Sequence, residues 1–129
     1  ATSGWIHGLL TELGEALAAF TKDLGSALDQ TTIVVKSEFG RRAYENGGLG
    51  TDHGRAGAML VLGGGLKRTG AFAKWPGLAE DDLEGPGDLR VTTDYRTVLS
   101  DTLAKRFSFD RSDQVFPGYR PGQSLGIFS

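Results

Sequence analysis

The stretch from Ser37 to Gly54, SEFGRRAYENGGLGTDHG, concentrates the side chains of this sequence that could do chemistry. Glu38 offers a carboxylate, and Asp52 and His53 offer a second carboxylate beside an imidazole. Carboxylates and imidazoles together are ligands for divalent ions such as zinc, manganese or magnesium. The residue types therefore predict a metal site formed by Glu38, Asp52 and His53.

Two arginines in the same stretch, Arg41 and Arg42, carry positive charge that suits a phosphate or sulfate group. A simpler interpretation stays open, because acids at strand ends are commonly solvated and arginines beside acids commonly form surface ion pairs that contribute little. His7 is the only other histidine. It lies near the start of a predicted helix, where a histidine is more often solvent-facing than a ligand.

Two apolar runs flank this stretch and must position it. Thr31–Lys36 ends just before Glu38, and Ala58–Leu62 begins shortly after His53. Continuous apolar runs are typical of strands that are covered on both faces, as in parallel sheets. Ligands of open α/β sheets gather at the carboxyl ends of strands. We expect the glycine-rich residues 47–50 to let the loop fold back and bring His53 toward Glu38.

Helices are predicted on both sides of these strands. Apolar residues recur every three or four positions from Ile6 to Leu28, which predicts one amphipathic helix. A second helix is predicted from Asp94 to Phe107, with Thr93 as its N-cap. Its inward-facing residues are expected to be Val98, Leu99, Leu103 and Phe107.

The remaining segments are rich in glycine, proline and acids. Residues 69–89 are predicted to be irregular, and Arg90–Thr92 to be a short third strand. The tail, residues 108–129, is predicted to be irregular because Pro117 and Pro121 interrupt regular structure. The order of elements predicts an α/β fold in which residues 1–129 are a single segment of a doubly wound, mostly parallel sheet with flanking helices. Two or three strands make a small sheet, so we expect an incomplete fragment of a larger domain.

Composition excludes several classes of protein. The 129 residues carry a net charge of −2, so no overall positive field favours nucleic acid. The absence of cysteine excludes disulfides, thiolate metal sites and cysteine nucleophiles. No apolar run reaches membrane-spanning length, and no signal-peptide pattern is present in this sequence. An incomplete sheet exposes edges, which favours self-association or pairing with a missing N-terminal part.

A series of motifs in fixed order resembles the bacterial family known as domain of unknown function 1501. These motifs are Ser37-Glu38-Phe39-Gly40-Arg41, Glu45-Asn46-Gly47, Gly50-Thr51-Asp52-His53-Gly54, Gly63-Gly64-Gly65, Trp75-Pro76-Gly77-Leu78, Thr92-Thr93-Asp94-Tyr95-Arg96 and Val115-Phe116-Pro117-Gly118-Tyr119. They cover most of the chain and look like the C-terminal part of the family. That family is longer, is often exported by a twin-arginine signal, and is similar to the alkaline phosphatase and sulfatase superfamily.

The resemblance implies a doubly wound fold and a two-metal hydrolase of phosphate or sulfate esters. Glu38 would then take the acid position at a strand end and His53 a histidine position, with Asp52 beside it. Two departures stand against this. The family has Gly-Trp-Asp-Thr-His before the long helix where this chain has Gly4-Trp5-Ile6-His7, and Phe39 stands where many superfamily enzymes carry a histidine ligand.

Two functions are therefore expected, of different classes. The first is the C-terminal portion of an exported or periplasmic metal-dependent hydrolase of small anionic esters, inactive as an isolated chain because the superfamily's nucleophile lies upstream. The second is a non-catalytic binding or structural module that keeps the phosphatase-like fold.

Overall fold

The computed structural model describes residues 5–67 and 69–129 and shows a mixed α/β chain. Within these residues the helices and strands, in chain order, are α1 (Trp5–Leu24), β1 (Thr32–Lys36), β2 (Gly40–Glu45), β3 (Thr51–Gly54), β4 (Met59–Gly63), α2 (Tyr95–Phe107) and α3 (Ser112–Val115). The strands form two separate two-stranded antiparallel sheets, one from β1 and β4 and the other from β2 and β3.

The first helix follows its predicted amphipathic pattern and is continued by a 3₁₀ helix, Gly25–Gln30. Thr31 ends the turn by donating its backbone N–H to the carbonyl of Leu28. Although α1 is 20 residues long, none of its residues is buried. Its apolar stripe therefore contributes little to the core of this chain.

The predicted parallel arrangement of the two apolar runs is wrong. Both runs are strands, but β1 and β4 pair antiparallel, with Val34 opposite Val61. A continuous apolar run indicates that a strand is covered and carries no information on its direction. A parallel pair needs a crossover connection, usually a helix, whereas the segment between β1 and β4 folds as a hairpin. The described residues accordingly show no doubly wound parallel sheet.

The hairpin of β2 and β3 was not predicted from the sequence. A third segment pairs along the free edge of β2, because Ala43 donates to the carbonyl of Gly87 and Leu89 donates to the carbonyl of Arg41. The predicted strand Arg90–Thr92 is not formed. The residues that pair with β2, Gly87 and Leu89, lie just before the predicted strand. The prediction therefore placed the extended segment a few residues too late.

The second helix begins one residue later than predicted. Asp94, rather than Thr93, is the N-cap: its backbone is extended and its carboxylate accepts the backbone N–H of Arg96 at 2.9 Å. The helix ends at Phe107, and its C-cap, Ser108, adopts a left-handed conformation with φ 52°. The expected inward face is only partly correct, since Val98 is buried whereas Phe107 is 71% exposed.

The tail contributes most of the buried core. It has one short helix, α3, and little other regular structure. Ile127 and Phe128 nevertheless pack with Val98 of α2, and the half-buried residues around them are Met59, Val61 and Leu66. Backbone hydrogen bonds secure this end of the chain, from Lys67 to the Ile127 carbonyl and from Ser129 to the Gly65 carbonyl. The core therefore joins the tail, α2 and β4.

Candidate functional site

The hairpin brings the two motif segments of the predicted site side by side. β2 and β3 pair so that Gly40 lies opposite Gly54 and Arg41 opposite His53. Glycine is required at Gly40, because an added Cβ would overlap the backbone of Ala56, and Arg41 donates its N–H to that residue's carbonyl at 3.0 Å. The loop thus folds back, as the glycines of the sequence predicted.

One face of the hairpin carries His53, Phe39 and Arg41. The rings of His53 and Phe39 stack with 3.9 Å between centroids and 31° between planes. The guanidinium of Arg41 lies 5.7 Å from the Phe39 ring centroid, and its Nη1 donates to the carbonyl of Thr51 at 2.8 Å. His53 and Arg41 are both exposed. This face therefore exposes the imidazole of His53 and the guanidinium of Arg41 to solvent, and both groups contact the Phe39 ring.

The opposite face holds the other two predicted residues in an ion-paired network. Nη1 of Arg42 lies 3.6 Å from Oδ2 of Asp52, and its Nε lies 3.4 Å from Oδ1 of Asp88. Asp52 also accepts a hydrogen bond of 2.9 Å from the side-chain amide of Asn46. Arg42 is thus a partner for two carboxylates here, which matches the surface ion pair interpretation better than an anion site.

The predicted metal ligands are therefore only partly brought together. Asp52 and His53 are consecutive in β3, so their side chains project to opposite faces of the hairpin. Glu38 is exposed and precedes Phe39, which contacts His53. In the described part of the chain no three His, Asp or Glu side chains lie close enough to hold a metal ion. The described residues thus do not supply a complete ligand set.

His7 is placed apart from the hairpin, on the first turns of α1, where it is exposed. His7 belongs to α1, and α1 includes Trp5-Ile6-His7, where the sequence departs from the family's Gly-Trp-Asp-Thr-His. Its backbone carbonyl accepts a hydrogen bond of 2.9 Å from the hydroxyl of Thr11, within the same helix. Its role as a ligand stays a prediction.

Sequence reasoning missed a buried acid beside the hairpin. Asp88 is 9% exposed, and its Oδ1 and the facing Nε of Arg42 are both buried without a well-formed hydrogen bond. A second ion pair, between Arg55 and Glu84 at 2.8 Å, fastens the same segment to the end of β3. No sequence pattern indicates this pairing, because Asp88 lies in a glycine-rich and acidic region that is predicted to be irregular.

Two motifs that are distant in sequence converge near α2. Phe116 makes edge-to-face contacts with Tyr95 and Tyr119, at centroid distances of 6.5 and 6.0 Å. The guanidinium of Arg96 stacks over the Tyr119 ring at 4.5 Å, and the Tyr119 hydroxyl hydrogen-bonds Thr97 at 2.6 Å. These motifs are therefore structural in this chain, since they attach the tail to the start of α2.

The N-cap of α2 is an acid whose pKa is shifted by its partner. The side-chain hydrogen bonds from Arg96 hold the pKa of Asp94 below its ordinary value of 3.8, against a smaller opposing effect of burial. The Arg96 guanidinium is bound through Nε and Nη2, the latter at 2.6 Å. Because the Asp94 carboxylate and the Arg96 guanidinium bind each other, the pair stabilises the start of the helix and is not a candidate ligand site.

Comparison with known proteins gives one result. Residues 2–117 match the family described as "Protein of unknown function (DUF1501)". No curated protein and no solved structure matches the chain. In the residues that the structure describes, no helix has the length and apolar character needed to cross a membrane. The match covers nearly all of the sequence, and the chain therefore belongs to the DUF1501 family.

Proposed function

We propose that this chain is the C-terminal portion of an exported, metal-dependent hydrolase of phosphate or sulfate esters, and that it supplies one side of the active site. Its share of the site is the exposed face of the hairpin, which carries His53 and Arg41, together with Glu38. In this proposal the nucleophile and the other ligands come from outside the described residues. The isolated chain is accordingly inactive.

One observation carries the proposal: the antiparallel pairing of Arg41 with His53. It joins two of the motifs that carry the resemblance to the DUF1501 family, which the sequence analysis relates to the phosphatase and sulfatase superfamily. Arg41 uses Nη1 for the Thr51 carbonyl and retains further N–H donors for an anionic oxygen. An arginine beside an exposed imidazole suits the binding of a phosphate or sulfate group.

The metal does not fit the described residues as a complete site. His53 lies against Phe39 on one face of the hairpin, while Asp52 is engaged by Arg42 and Asn46. Metal affinity depends on the number and geometry of ligands. We therefore assign His53 and Glu38 as partial ligands, and no chemical step is derived through the ion.

The experiment is ester hydrolysis by the longest natural form of the protein. We expect turnover of an aryl phosphate or an aryl sulfate that is lost with a chelator and restored by zinc, manganese or magnesium. His53→Ala should reduce the rate by at least about 100-fold, a magnitude typical of a lost catalytic or ligand group. His7→Ala, at the other histidine of this sequence, shows whether that residue contributes as well. Full activity in His53→Ala would refute the assignment.

A second function, a non-catalytic binding or structural module, is favoured by the stacking of Phe39 on His53. The ring occupies the position where many superfamily enzymes carry a ligand, and it covers one face of the imidazole. Phe39→His would add a nitrogen ligand in its place. Metal binding that appears in Phe39→His but is absent from the natural protein would support the module and argue against the hydrolase.

A further inference from the structure

Asn46, at the turn between β2 and β3, is the only asparagine of this sequence, and a glycine follows it. An asparagine side chain cyclises when the backbone nitrogen of the next residue attacks its Cγ. Glycine leaves that nitrogen least hindered, because it has no side chain. Gly47 is exposed, and within residues 5–67 and 69–129 no acceptor takes its backbone N–H. The nucleophile of such a reaction is therefore free at this turn.

The turn folds the side chain of Asn46 back over the peptide that joins it to Gly47. Its Oδ1 accepts the backbone N–H of Gly48 at 2.9 Å and that of Gly50 at 3.2 Å. A hydrogen bond to the N–H two residues along keeps a side-chain amide close to the intervening peptide. The backbone is held as well, since the N–H of Asn46 donates to the Gly50 carbonyl at 2.8 Å. Cγ of Asn46 is therefore kept near the nitrogen of Gly47.

The two N–H groups that bind Oδ1 also favour the reaction electronically. When a nitrogen adds to Cγ of Asn46, negative charge develops on Oδ1. Backbone donors that already point at such an oxygen stabilise the charge without reorganisation, as in an oxyanion hole. The N–H groups of Gly48 and Gly50 are two donors of this kind. The turn thus orients the reacting groups and stabilises the intermediate.

We propose that Asn46 is a site of spontaneous deamidation that its own turn promotes. A base from solvent takes the proton of the Gly47 N–H, and the nitrogen bonds to Cγ of Asn46. The Cγ–Nδ2 bond then breaks, and the leaving nitrogen takes up a proton from solvent and departs as ammonia. Water opens the resulting succinimide at either carbonyl, which gives aspartate or isoaspartate at position 46. Water is the only co-reactant, and no group is oxidised or reduced.

The product changes the hairpin that carries the candidate site. Nδ2 of Asn46 donates to Oδ1 of Asp52 at 2.9 Å. After deamidation a carboxylate oxygen replaces this donor, so the hydrogen bond is lost and two like charges face each other. Isoaspartate also adds a carbon atom to the main chain, at a hairpin whose register already shifts between Arg41 and Glu45. We therefore expect the modification to loosen the pairing of β2 with β3.

The test is mass spectrometry of the natural chain, kept at mildly alkaline pH in native buffer and, in parallel, in enough urea to unfold it. Exchange of an amide NH₂ for OH changes the intact mass, and the peptide that contains Asn46 locates the change. We expect the folded chain to react about tenfold faster, less than the roughly 100- to 1,000-fold effect of one such donor in an enzyme. An equal or slower rate in the folded chain would overturn the proposal.

Gly47→Ala tests the nucleophile. An added Cβ at Gly47 meets no heavy atom within 4 Å, so the variant should fold, which circular dichroism confirms. The methyl group hinders the attacking nitrogen, and we expect the reaction to slow by at least about tenfold, which a small increase in the barrier produces. Gly48→Ala keeps the N–H that binds Oδ1 and is the matched control, with a rate close to that of the natural chain. An unchanged rate in Gly47→Ala would also overturn the proposal.

Asn46→Asp reproduces one product and tests its effect on the hairpin. We expect the amides of β2 and β3 to exchange hydrogen at least about tenfold faster, because hydrogen bonds to charged groups contribute enough for such a change. Adding Asp52→Asn places a donor and an acceptor across the same pair again, and protection should return in the double variant. Equal exchange in the natural chain and Asn46→Asp would contradict the expected loosening. None of these measurements depends on the hydrolase assignment, because none requires turnover.

Discussion

The two long helices of this chain contrast in what their sequences predict and in what they do. α1 has a regular apolar stripe, yet none of its residues is buried. α2 is much less amphipathic, yet Val98, Ser100 and Thr102 are buried. An apolar stripe therefore shows that a helix needs a cover, and only the arrangement of the other segments decides whether the same chain provides it.

The reason lies in which segments reach each helix. α2 receives the tail, whose Ile127 and Phe128 pack against Val98. It is also tied to the tail by side-chain hydrogen bonds, since Asp101 accepts from the hydroxyl of Ser124 at 3.0 Å and from the N–H of Leu125 at 2.8 Å. No comparable segment lies over α1 among the described residues. The following predictions test this contrast, from the largest expected effect to the smallest.

Phe128→Ala removes the most buried aromatic ring of the core, which is 4% exposed. We expect the free energy of unfolding to fall by about 3–5 kcal/mol, because the mutation loses apolar burial and leaves a cavity. Urea denaturation followed by circular dichroism measures the change. Phe107→Ala, at the exposed end of α2, is the matched control and should cost less than about 1 kcal/mol. Equal losses in the two variants would show that the tail does not form the core.

Asp94→Ala removes the N-cap of α2 and its hydrogen bonds to Arg96. We expect a loss of about 1 kcal/mol near neutral pH, which is typical of a capping residue. The folded-state pKa of Asp94 is lowered, so its stabilisation is fully present above the ordinary value of 3.8 and is lost as pH falls through the lower folded value. The difference between the two proteins should therefore disappear in strong acid.

The matched control for this variant is Asp110→Ala, which removes an exposed carboxylate from the tail. Denaturation at several pH values separates the two. If Asp94→Ala kept its full deficit at the lowest pH, the effect would come from packing and not from the ionised cap.

Asp101→Ala cuts the hydrogen bonds that hold residues 124 and 125 against α2. We expect a loss of about 0.5–1.5 kcal/mol, the usual net contribution of such bonds. Hydrogen exchange gives the sharper measurement, because the amide of Leu125 should lose protection before the rest of the chain. Unchanged exchange at Leu125 would argue that Phe128 alone holds the tail.

Trp5→Ala gives the smallest expected effect, because the side chain is almost wholly exposed. Urea denaturation followed by circular dichroism measures it. The free energy of unfolding should change by less than about 0.5 kcal/mol, as is usual for surface substitutions. A loss of several times that amount would mean that α1 packs on its own chain after all.

In the candidate site, too, features set by neighbouring residues were predictable from the sequence, and features set by residues distant in the chain were not. The glycines between Glu45 and Thr51 predicted a fold-back that brings His53 toward Glu38. The chain does fold back there, and the hairpin places His53 opposite Arg41. The alternation of side chains along β3 separates Asp52 from His53, and the sequence interpretation missed it because no strand was assigned there. The buried partner Asp88 was also out of reach, since its pairing with Arg42 depends on a contact across many intervening residues.

The sequence by itself determined the local structure: α1, β1, β4 and the extent of α2, because helix and strand periodicity and capping are properties of neighbouring residues. It also identified the family, through motifs in a fixed order. The tertiary structure alone decided the antiparallel direction of β1 and β4, the placement of the tail in the core and the exposure of α1. These features depend on which distant segments meet. An apolar residue favours burial, but its type does not specify which segment will bury it.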